Sequence, residues 1–206
     1  MITIIDYGMG NLGSVTNMIK KVGGTSIVTS KISEIEKATK ILLPGVGSFD
    51  KAMQNLQNLN LVEVLKKKVL QDKTPIMGIC LGMQLLTKMS EEGKLNGLGF
   101  VDAVVEKFDF TSLNNAFPIP HMGWNRVYIQ KDSQLLQENE ERENRFYFVH
   151  SYAVKCNNFQ DILTTTNYGY EFVSSFEKDN IIGCQFHPEK SHKFGMKLFT
   201  NFVENY

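Results

Sequence analysis

The chain has 206 residues and equal numbers of basic and acidic side chains, 22 of each, so its formal net charge is zero. This balance gives no extended basic face, which argues against nucleic acid as a partner. No run of residues reaches the ~18 apolar residues that a membrane span needs. The three cysteines form no C-x-x-C pair, so we expect a reducing, cytoplasmic setting.

The first half of the chain alternates strand and helix patterns, which predicts a parallel sheet covered by helices. The N-terminal MITIIDYGMG lacks a basic leader and fits a first strand better than a signal peptide. The predicted elements are strand 1–6, helix 11–22, strands 26–28 and 40–43, helix 61–70 and a strand that opens at Pro75.

A glycine motif lies between the first strand and the first helix. Gly8-Met9-Gly10-Asn11-Leu12-Gly13 spells G-x-G-x-x-G, the fingerprint of dinucleotide-binding turns. Such a site also needs an acidic residue after the second strand, and Thr29, Ser30 and Lys31 stand there instead. We therefore interpret the motif as a tight turn beside a functional surface, and we expect no cofactor.

The stretch from Thr74 to Leu86 reads as a buried strand, a sharp turn and the start of a helix. Its turn, Gly78-Ile79-Cys80-Leu81-Gly82, is G-x-C-x-G, the thiol counterpart of the strained nucleophile elbow. The helix N-terminus behind Cys80 favours the thiolate, which is the nucleophilic form. A buried structural cysteine fits this stretch equally well, because free cysteine packs like a small hydrophobe.

Two further stretches carry groups that a thiol nucleophile requires. Pro44-Gly45-Val46-Gly47 follows a strand, and its free backbone N–H groups could form an oxyanion hole, although an ordinary turn is the alternative. His187-Pro188-Glu189 follows the last strand, where Glu189 can orient His187 as the base because residues two apart on an extended segment share a side.

The His187 segment also has two alternative interpretations. One is a surface histidine beside a surface glutamate, which a lone H-x-E pattern favours. The other is a zinc site built from Cys184, His187 and His192, although this ligand spacing matches no common zinc motif. We expect no metal.

The second half of the chain is predicted to be largely β. After a helix over 81–89, the extended segments are 99–108, 127–130, 145–149, 152–155, 161–166, 171–176 and 182–186, and a helix over 191–203 closes the chain. The polar segment 132–145 is predicted to be a solvated loop. The sequence thus predicts a single α/β domain over 1–206, with a mostly parallel central sheet flanked by helices and a β-rich portion in the second half.

Taken together, these motifs resemble those of class I (triad) glutamine amidotransferases. The order and approximate spacing of 44–47, 78–84 and 185–189 match that family, and the likeness covers essentially the whole chain. PHMGWN at 120–125 and FVHSY at 148–152 resemble, more narrowly, the glutaminase subunits of imidazole glycerol phosphate synthases. The resemblance implies a flavodoxin-like amidotransferase fold.

The resemblance also implies a role for each matching residue. Cys80 would be the nucleophile, His187 the general acid–base and Glu189 its orienting carboxylate. The oxyanion donors would be the backbone N–H of Leu81 and one from the segment Val46-Gly47. The residues that would hold L-glutamine are Gly45, Gln84, Glu92, Ser151 and Tyr152, with Glu92 pairing with the α-ammonium group.

The product of the reaction implies a partner. Free ammonia is protonated in bulk water at neutral pH and is then no longer a nucleophile, so the protein that uses it must receive it shielded from water. The resemblance implies a (β/α)₈ cyclase, the synthase subunit, in a heterodimer with an ammonia tunnel, making imidazole glycerol phosphate and an aminoimidazole carboxamide ribotide for histidine. Two alternatives stay open: a synthase that aminates sugars for surface polysaccharide, and a stand-alone thiol glutamyl hydrolase. The candidate docking residues are Gly10, Asn11, Met122, Trp124, Asn125 and Lys190, with core packing the alternative for Trp124.

Overall fold

A computed structural model describes residues 1–113, 117–137 and 143–206. The first half alternates strands and helices as predicted. Its elements are β1 (Ile2–Ile5), α1 (Leu12–Lys21), β2 (Ser26–Thr29), α2 (Ile32–Ile35), β3 (Ile41–Gly45), α3 (Phe49–Asn58), α4 (Leu61–Lys66), β4 (Ile76–Cys80) and α5 (Leu81–Leu85). A π-helical turn over Lys67–Gln71 continues α4.

The second half is built mainly from strands. They are β5 (Met89–Ser90), β6 (Ala103–Lys107), β7 (His121–Ile129), β8 (Asn144–His150), β9 (Tyr152–Cys156), β10 (Ile162–Tyr168), β11 (Tyr170–Lys178) and β12 (Ile181–Cys184). The helix α6 (His192–Asn205) closes the chain. Among the residues that the structure describes, no helix is long and apolar enough to cross a membrane.

The strands join in one sheet with the order β2-β1-β3-β4-β12-β11-β10-β7-β8. The segment from β2 to β12 is parallel, and from β12 onward the neighbours are antiparallel. Strands β1, β3 and β4 are buried along their whole length, which is why they read as continuous apolar runs. The predicted mostly parallel sheet with a β-rich second half is confirmed.

The register of the parallel strands places the functional loops side by side. Gly45 at the end of β3 pairs with Cys80 at the end of β4, and Cys184 at the end of β12 pairs with Ile79. Loops that follow neighbouring parallel strands meet at the carboxyl edge of a sheet, where open α/β folds bind ligands. The oxyanion-type loop, the cysteine turn and the His187 segment therefore converge from three adjacent strands.

Three helices differ from the sequence predictions. No bounds were predicted for the short helix α2. Helix α3 was not predicted either, although its buried residues Phe49, Ala52, Met53 and Leu56 have helical spacing. Helix α5 ends at Leu85 rather than at residue 89, because backbone carbonyls of its last residues bond instead to the Thr87 hydroxyl and to the loop over 98–101. The chain then turns into β5, which pairs with β6.

Three segments of the second half also differ. Strand β7 begins at His121, six residues before the predicted start, because residues 121–127 pair in continuous register with β8. Strand β6 begins at Ala103, and Phe100 before it is a buried loop residue. The predicted solvated loop over 132–145 is wrong for Leu135 and Leu136, which are buried in the core, while 138–142 lie outside the described residues.

Candidate active site

The turn at Cys80 is a strained strand-to-helix elbow. Cys80 ends β4 with φ +53° and ψ −112°, in a region that side-chain-bearing residues rarely adopt. The flanking glycines allow the turn to pack tightly: a Cβ on Gly78 would lie 2.5 Å from the Gly82 carbonyl oxygen, and one on Gly82 would lie 1.8 Å from that of Leu43. The elbow therefore folds back against both β4 and β3, which fixes the position of the thiol.

Gly82→Ala is expected to destabilise the fold by roughly 3 kcal/mol or more, because the new methyl group meets the rigid backbone of β3 rather than a flexible side chain. Urea unfolding measures this change. The matched control is Gly13→Ala on α1, where a Cβ meets nothing within 4 Å and the lost backbone entropy of glycine makes the change neutral or stabilising. Equal unfolding free energies for the two variants would contradict the steric account.

His187 and Glu189 form a buried pair behind the cysteine. His187 Nδ1 and Glu189 Oε1 are 2.7 Å apart, and both side chains are only 2 % exposed. Pro188–Lys190 form a 3₁₀ turn, so the pair does not arise from an extended segment as predicted from the sequence. The turn is fixed by Ser191, whose hydroxyl donates to the His187 carbonyl at 2.6 Å and accepts from the Tyr147 N–H at 3.0 Å.

The electrostatics of this pair favour a charged imidazole. Burial opposes protonation of His187, but the neighbouring Cys80 sulfur and the Glu189 carboxylate outweigh burial and raise the pKa of His187 to about 10. Among the described residues, no nitrogen or oxygen atom pairs with His187 Nε2, which leaves that side of the ring to the Cys80 sulfur. A cationic imidazole beside a thiolate is the resting state that cysteine nucleophiles use.

Gln185, to which sequence reasoning assigned no role, connects Gln84 to the sulfur. Gln185 Nε2 lies 3.8 Å from Cys80 Sγ, and Gln185 Oε1 accepts a hydrogen bond from Gln84 Nε2 at 3.0 Å. The Val149 carbonyl oxygen lies 3.9 Å from the same sulfur. Gln185 directly follows Cys184, the last residue of β12, which pairs with Ile79 of β4. This register brings Gln185 to Cys80, the residue after Ile79.

A cavity of about 330 Å³ opens above Cys80. Its volume is near the lower end of the ~300–1,000 Å³ range of small-molecule pockets, which suits an amino acid. All the predicted catalytic, oxyanion and glutamine-contacting residues line it except Gly45 and Glu189, and Pro120, Val149 and His150 are added. Gly45 instead packs against the elbow, where a Cβ would lie 2.6 Å from the Gly82 nitrogen. Glu189 contacts His187 Nδ1 and is separated from the cavity by the His187 ring.

Contacts with neighbouring residues fix the loop that follows β3. The Tyr7 hydroxyl donates a hydrogen bond to the Pro44 carbonyl oxygen at 2.8 Å, and Gly47 adopts φ +104°, which favours glycine. Helix α3 begins directly afterwards, and the Glu92 carboxylate accepts a hydrogen bond from the Phe49 N–H at 2.9 Å. Glu92 therefore caps the helix that follows the loop while it also lines the cavity.

The predicted docking residues have different environments. On β7, Met122 and Trp124 are 61 % and 41 % exposed, and the Trp124 ring stacks on His192 rather than in the core. Lys190 is also exposed. The other three residues are half-buried: Gly10 packs against Pro44, Asn11 caps α1 by accepting from the Ser14 N–H, and Asn125 turns inward towards His121.

The other candidate sites have no comparable geometry. A larger cavity of about 950 Å³ runs along the edge strand β2, and its lining includes neither cysteine nor histidine. Within 1–113, 117–137 and 143–206, no group of three or more His, Cys, Asp or Glu side chains is arranged to hold a metal ion.

Two buried histidines are in contact here: His150 lines the cavity, and His121 lies behind it. Burial lowers the pKa of His121 to about 4 and that of His150 to about 3, so both imidazoles are neutral at pH 7. The unfolded chain takes up these protons near the ordinary pKa of 6.5, whereas the native chain does not. Their contribution to stability is therefore present above pH 6.5 and is lost as the pH falls towards 4.

Replacing His150 by leucine is expected to reduce this acid destabilisation. The wild-type chain should lose roughly 3 kcal/mol of unfolding free energy between pH 7 and pH 4 through the His150 imidazole, and His150→Leu removes this contribution. Urea unfolding at a series of pH values between 7 and 4 measures the slope of the unfolding free energy against pH. Tyr168→Phe, which keeps both imidazoles, serves as the control, and identical slopes for wild type and His150→Leu would contradict the prediction.

Comparison with known proteins places the chain in a family. The model of the class I glutamine amidotransferase family matches residues 3–206. The imidazole glycerol phosphate synthase subunit HisH 2 of Methanococcus maripaludis is 58 % identical over 204 residues, covering 99 % of both chains. HisH 2 of Pseudomonas aeruginosa is 48 % identical, with 99 % of each chain covered, and HisH of Leptospira interrogans is 42 % identical, covering 98 % of this chain and 99 % of the relative.

Solved structures agree on the fold. A chain in the structure of PurLQS from Thermotoga maritima superposes with a TM-score of 0.73 at 16 % identity, covering 98 % of this chain and 96 % of that chain. A glutamine amidotransferase superposes with a TM-score of 0.74 at 13 % identity, covering 98 % of each chain. Identities this low show the fold alone, but the family model and the full-length relatives go further: this chain belongs to the class I glutamine amidotransferase family.

Proposed function

We propose that this chain is the glutaminase subunit of an imidazole glycerol phosphate synthase, acting in the cytoplasm as one domain over residues 1–206. It hydrolyses L-glutamine to glutamate and ammonia through a thioester on Cys80. The observation that carries the proposal is a single cavity that contains a strained cysteine elbow and the Nε2 side of the buried His187–Glu189 pair. The names of the full-length relatives support the same assignment.

The reaction begins with attack of the Cys80 thiolate on the side-chain amide carbon of glutamine. The backbone N–H of Leu81 and one from Val46-Gly47 stabilise the oxyanion, and the imidazolium of His187 gives its proton to the leaving ammonia. Water then attacks the glutamyl thioester and His187 accepts its proton. The C–S bond breaks, which releases glutamate and restores the Cys80 thiolate beside the imidazolium of His187. The raised pKa of His187 suits the first step because the proton is already in place.

Glutamine needs a separate anchor at its amino-acid end. Glu92 lines the cavity and supplies the anion that an α-ammonium group requires. Gln84, Ser151 and Tyr152 line the same cavity around Cys80 and complete the contacts. Gly45 contributes by allowing β3 to approach the elbow, since no side chain fits there.

The loop at Val46-Gly47 is the proposed control point for hydrolysis. One oxyanion donor contributes a factor of ~10²–10³ to the rate. A peptide group in this loop whose N–H points away from the cavity would therefore nearly abolish glutamine hydrolysis. The loop contacts the turn at Gly10 and Met9, which belongs to the proposed docking surface. An acceptor-loaded partner on that surface would reorient the loop. A high glutaminase rate in the isolated chain would contradict this mechanism.

The ammonia requires a second subunit that uses it. We propose a (β/α)₈ cyclase that forms a heterodimer with this chain and receives ammonia through a shielded tunnel. The exposed side chains of Met122, Trp124 and Lys190 suit a docking face, and the turn at Gly10 and Asn11 adjoins the oxyanion loop. Asn125 lies beneath that face and contributes through its inward contacts.

Isotope labelling tests the proposal directly. The complex with its cyclase would be given glutamine labelled with ¹⁵N in the side-chain amide, together with excess unlabelled ammonium. We expect ¹⁵N in the imidazole product, because tunnelled ammonia does not mix with the bulk pool. An unlabelled product, with glutamine consumed at the same rate, would contradict channelling and the assignment to this synthase.

A second candidate is the same glutaminase serving a synthase that aminates sugars for surface polysaccharide. The relatives from Methanococcus maripaludis and Pseudomonas aeruginosa are both named HisH 2, and such a copy number is what a genome with more than one glutaminase of this kind would show. Co-purification followed by identification of the aminated acceptor separates the two candidates. Full activity without any partner would instead indicate a stand-alone thiol glutamyl hydrolase.

A further inference from the structure

The two buried histidines lie directly opposite each other on neighbouring strands. His121 on β7 pairs with His150 on β8, and their Nδ1 and Nε2 atoms are 3.0 Å apart. The surrounding side chains are aromatic: the His121 ring stacks on Tyr168 and on Phe148, with ring centroids 4.0 Å and 4.8 Å away, and Phe108 packs on His150 at 5.1 Å. In such surroundings each polar ring atom depends on its few hydrogen-bond partners.

The direction of every hydrogen bond in this group follows from chemistry. The Tyr152 carbonyl only accepts, so His150 Nδ1, 2.8 Å away, carries a proton and the neutral ring accepts at Nε2. His121 Nδ1 must therefore donate to His150 Nε2, and His121 Nε2 accepts from the Asn125 amide at 3.2 Å. The Asn125 amide is itself oriented, because it donates to the Asn167 carbonyl and its oxygen accepts from the Arg126 N–H.

The same carbonyl connects this chain of bonds to the sulfur. Gln84 Nε2 donates to the Tyr152 carbonyl at 3.3 Å and to Gln185 Oε1 at 3.0 Å. With its oxygen held in this way, Gln185 presents its amide N–H to Cys80 Sγ at 3.8 Å. An N–H directed at sulfur favours the thiolate over the thiol.

We propose that His121 and His150 are positioning residues for the nucleophile. They fix the Tyr152 carbonyl, which orients Gln84 and Gln185 so that an amide N–H faces the Cys80 sulfur. The effect on catalysis rests on the proposed function, but the effect on the sulfur does not. Neither histidine transfers a proton to substrate in this account.

Alkylation of the full-length chain by iodoacetamide across a pH series tests the proposal without glutamine. His150→Leu removes the donor to the Tyr152 carbonyl. His150→Asn, whose side chain is branched at Cγ like that of leucine, restores an N–H near the Nδ1 position. We expect the leucine variant to react about 3- to 10-fold more slowly at neutral pH, with its profile moved to higher pH, and the asparagine variant to recover most of the rate.

Peptide mapping separates Cys80 from the other thiols. Cys156 and Cys184 do not line the cavity, and burial raises the pKa of both, to about 12 for Cys156, so they react slowly. Tyr168→Phe is the matched control, because it keeps the ring against His121 and loses only a hydroxyl bond to the Pro118 carbonyl. Its alkylation profile is expected to equal that of the wild type.

A second variant covers the case in which His150→Leu fails to fold. His121→Leu removes the donor to His150 Nε2 and so leaves the His150 ring without the contact that orients it. We expect the same shift of the alkylation profile. Folded variants with the wild-type profile would overturn the proposal. Failure of glutamine hydrolysis in the wild-type complex, with the shift present, would instead overturn only the proposed function.

Discussion

Cys80→Ala is expected to lower glutamine hydrolysis by about 10⁴–10⁶-fold, because no other group can form the thioester and the remaining residues only bind and polarise the substrate. The rate of glutamate release from the complex measures this loss. Substrate binding should change little, since the removed atom contributes reactivity rather than most of the cavity surface.

The other two cysteines provide controls for that variant. Cys184 and Cys156 are buried away from the cavity lining, so Cys184→Ala and Cys156→Ala should change stability more than activity. Retained hydrolysis in Cys80→Ala, or an equal loss in Cys184→Ala, would remove Cys80 from the mechanism.

Glu189→Gln is expected to lower the rate by about 10³–10⁴-fold while the fold is kept. The carboxylate accepts the Nδ1 proton of His187 at 2.7 Å and, with the Cys80 sulfur, sustains its raised pKa. An amide in this place can donate to Nδ1, which stabilises the wrong tautomer and leaves the imidazolium without its counter-charge. The pH–rate profile of the complex should show the imidazolium lost at a lower pH than in the wild type.

Glu177→Gln is the matched control for Glu189→Gln. Glu177 is a partly buried carboxylate on β11 that accepts a hydrogen bond from the Tyr206 hydroxyl at 2.5 Å, and it does not line the cavity. Its activity and pH profile should stay near those of the wild type. Equal effects of the two substitutions would show that general destabilisation, and not the orientation of His187, explains the loss.

The sequence identifies the parts of the site that are local. The G-x-C-x-G turn requires its glycines because Gly78 and Gly82 touch backbone within a few residues or on the adjacent strand. The same holds for His187 and Glu189, which are two residues apart and joined by one short turn. Such features depend on the backbone of a single segment, so residue types and spacing are enough to predict them.

The parts that sequence reasoning missed depend on strand register. Gln185 faces Cys80 only because Cys184 pairs with Ile79 across two strands that are far apart in the chain. His121 meets His150 only because β7 and β8 pair in one particular register. No local pattern encodes either register, and β7 itself was predicted to start later than it does.

The most direct test of the central claim is covalent labelling of the full-length chain with a glutamine analogue that carries a chloroketone in place of the side-chain amide. The account predicts one adduct, on Cys80, whose formation is slowed by glutamine and abolished by Cys80→Ala. An adduct on Cys156 or Cys184, or labelling of Cys80 that glutamine does not slow, would contradict the claim that Cys80 is the nucleophile of a glutamine site.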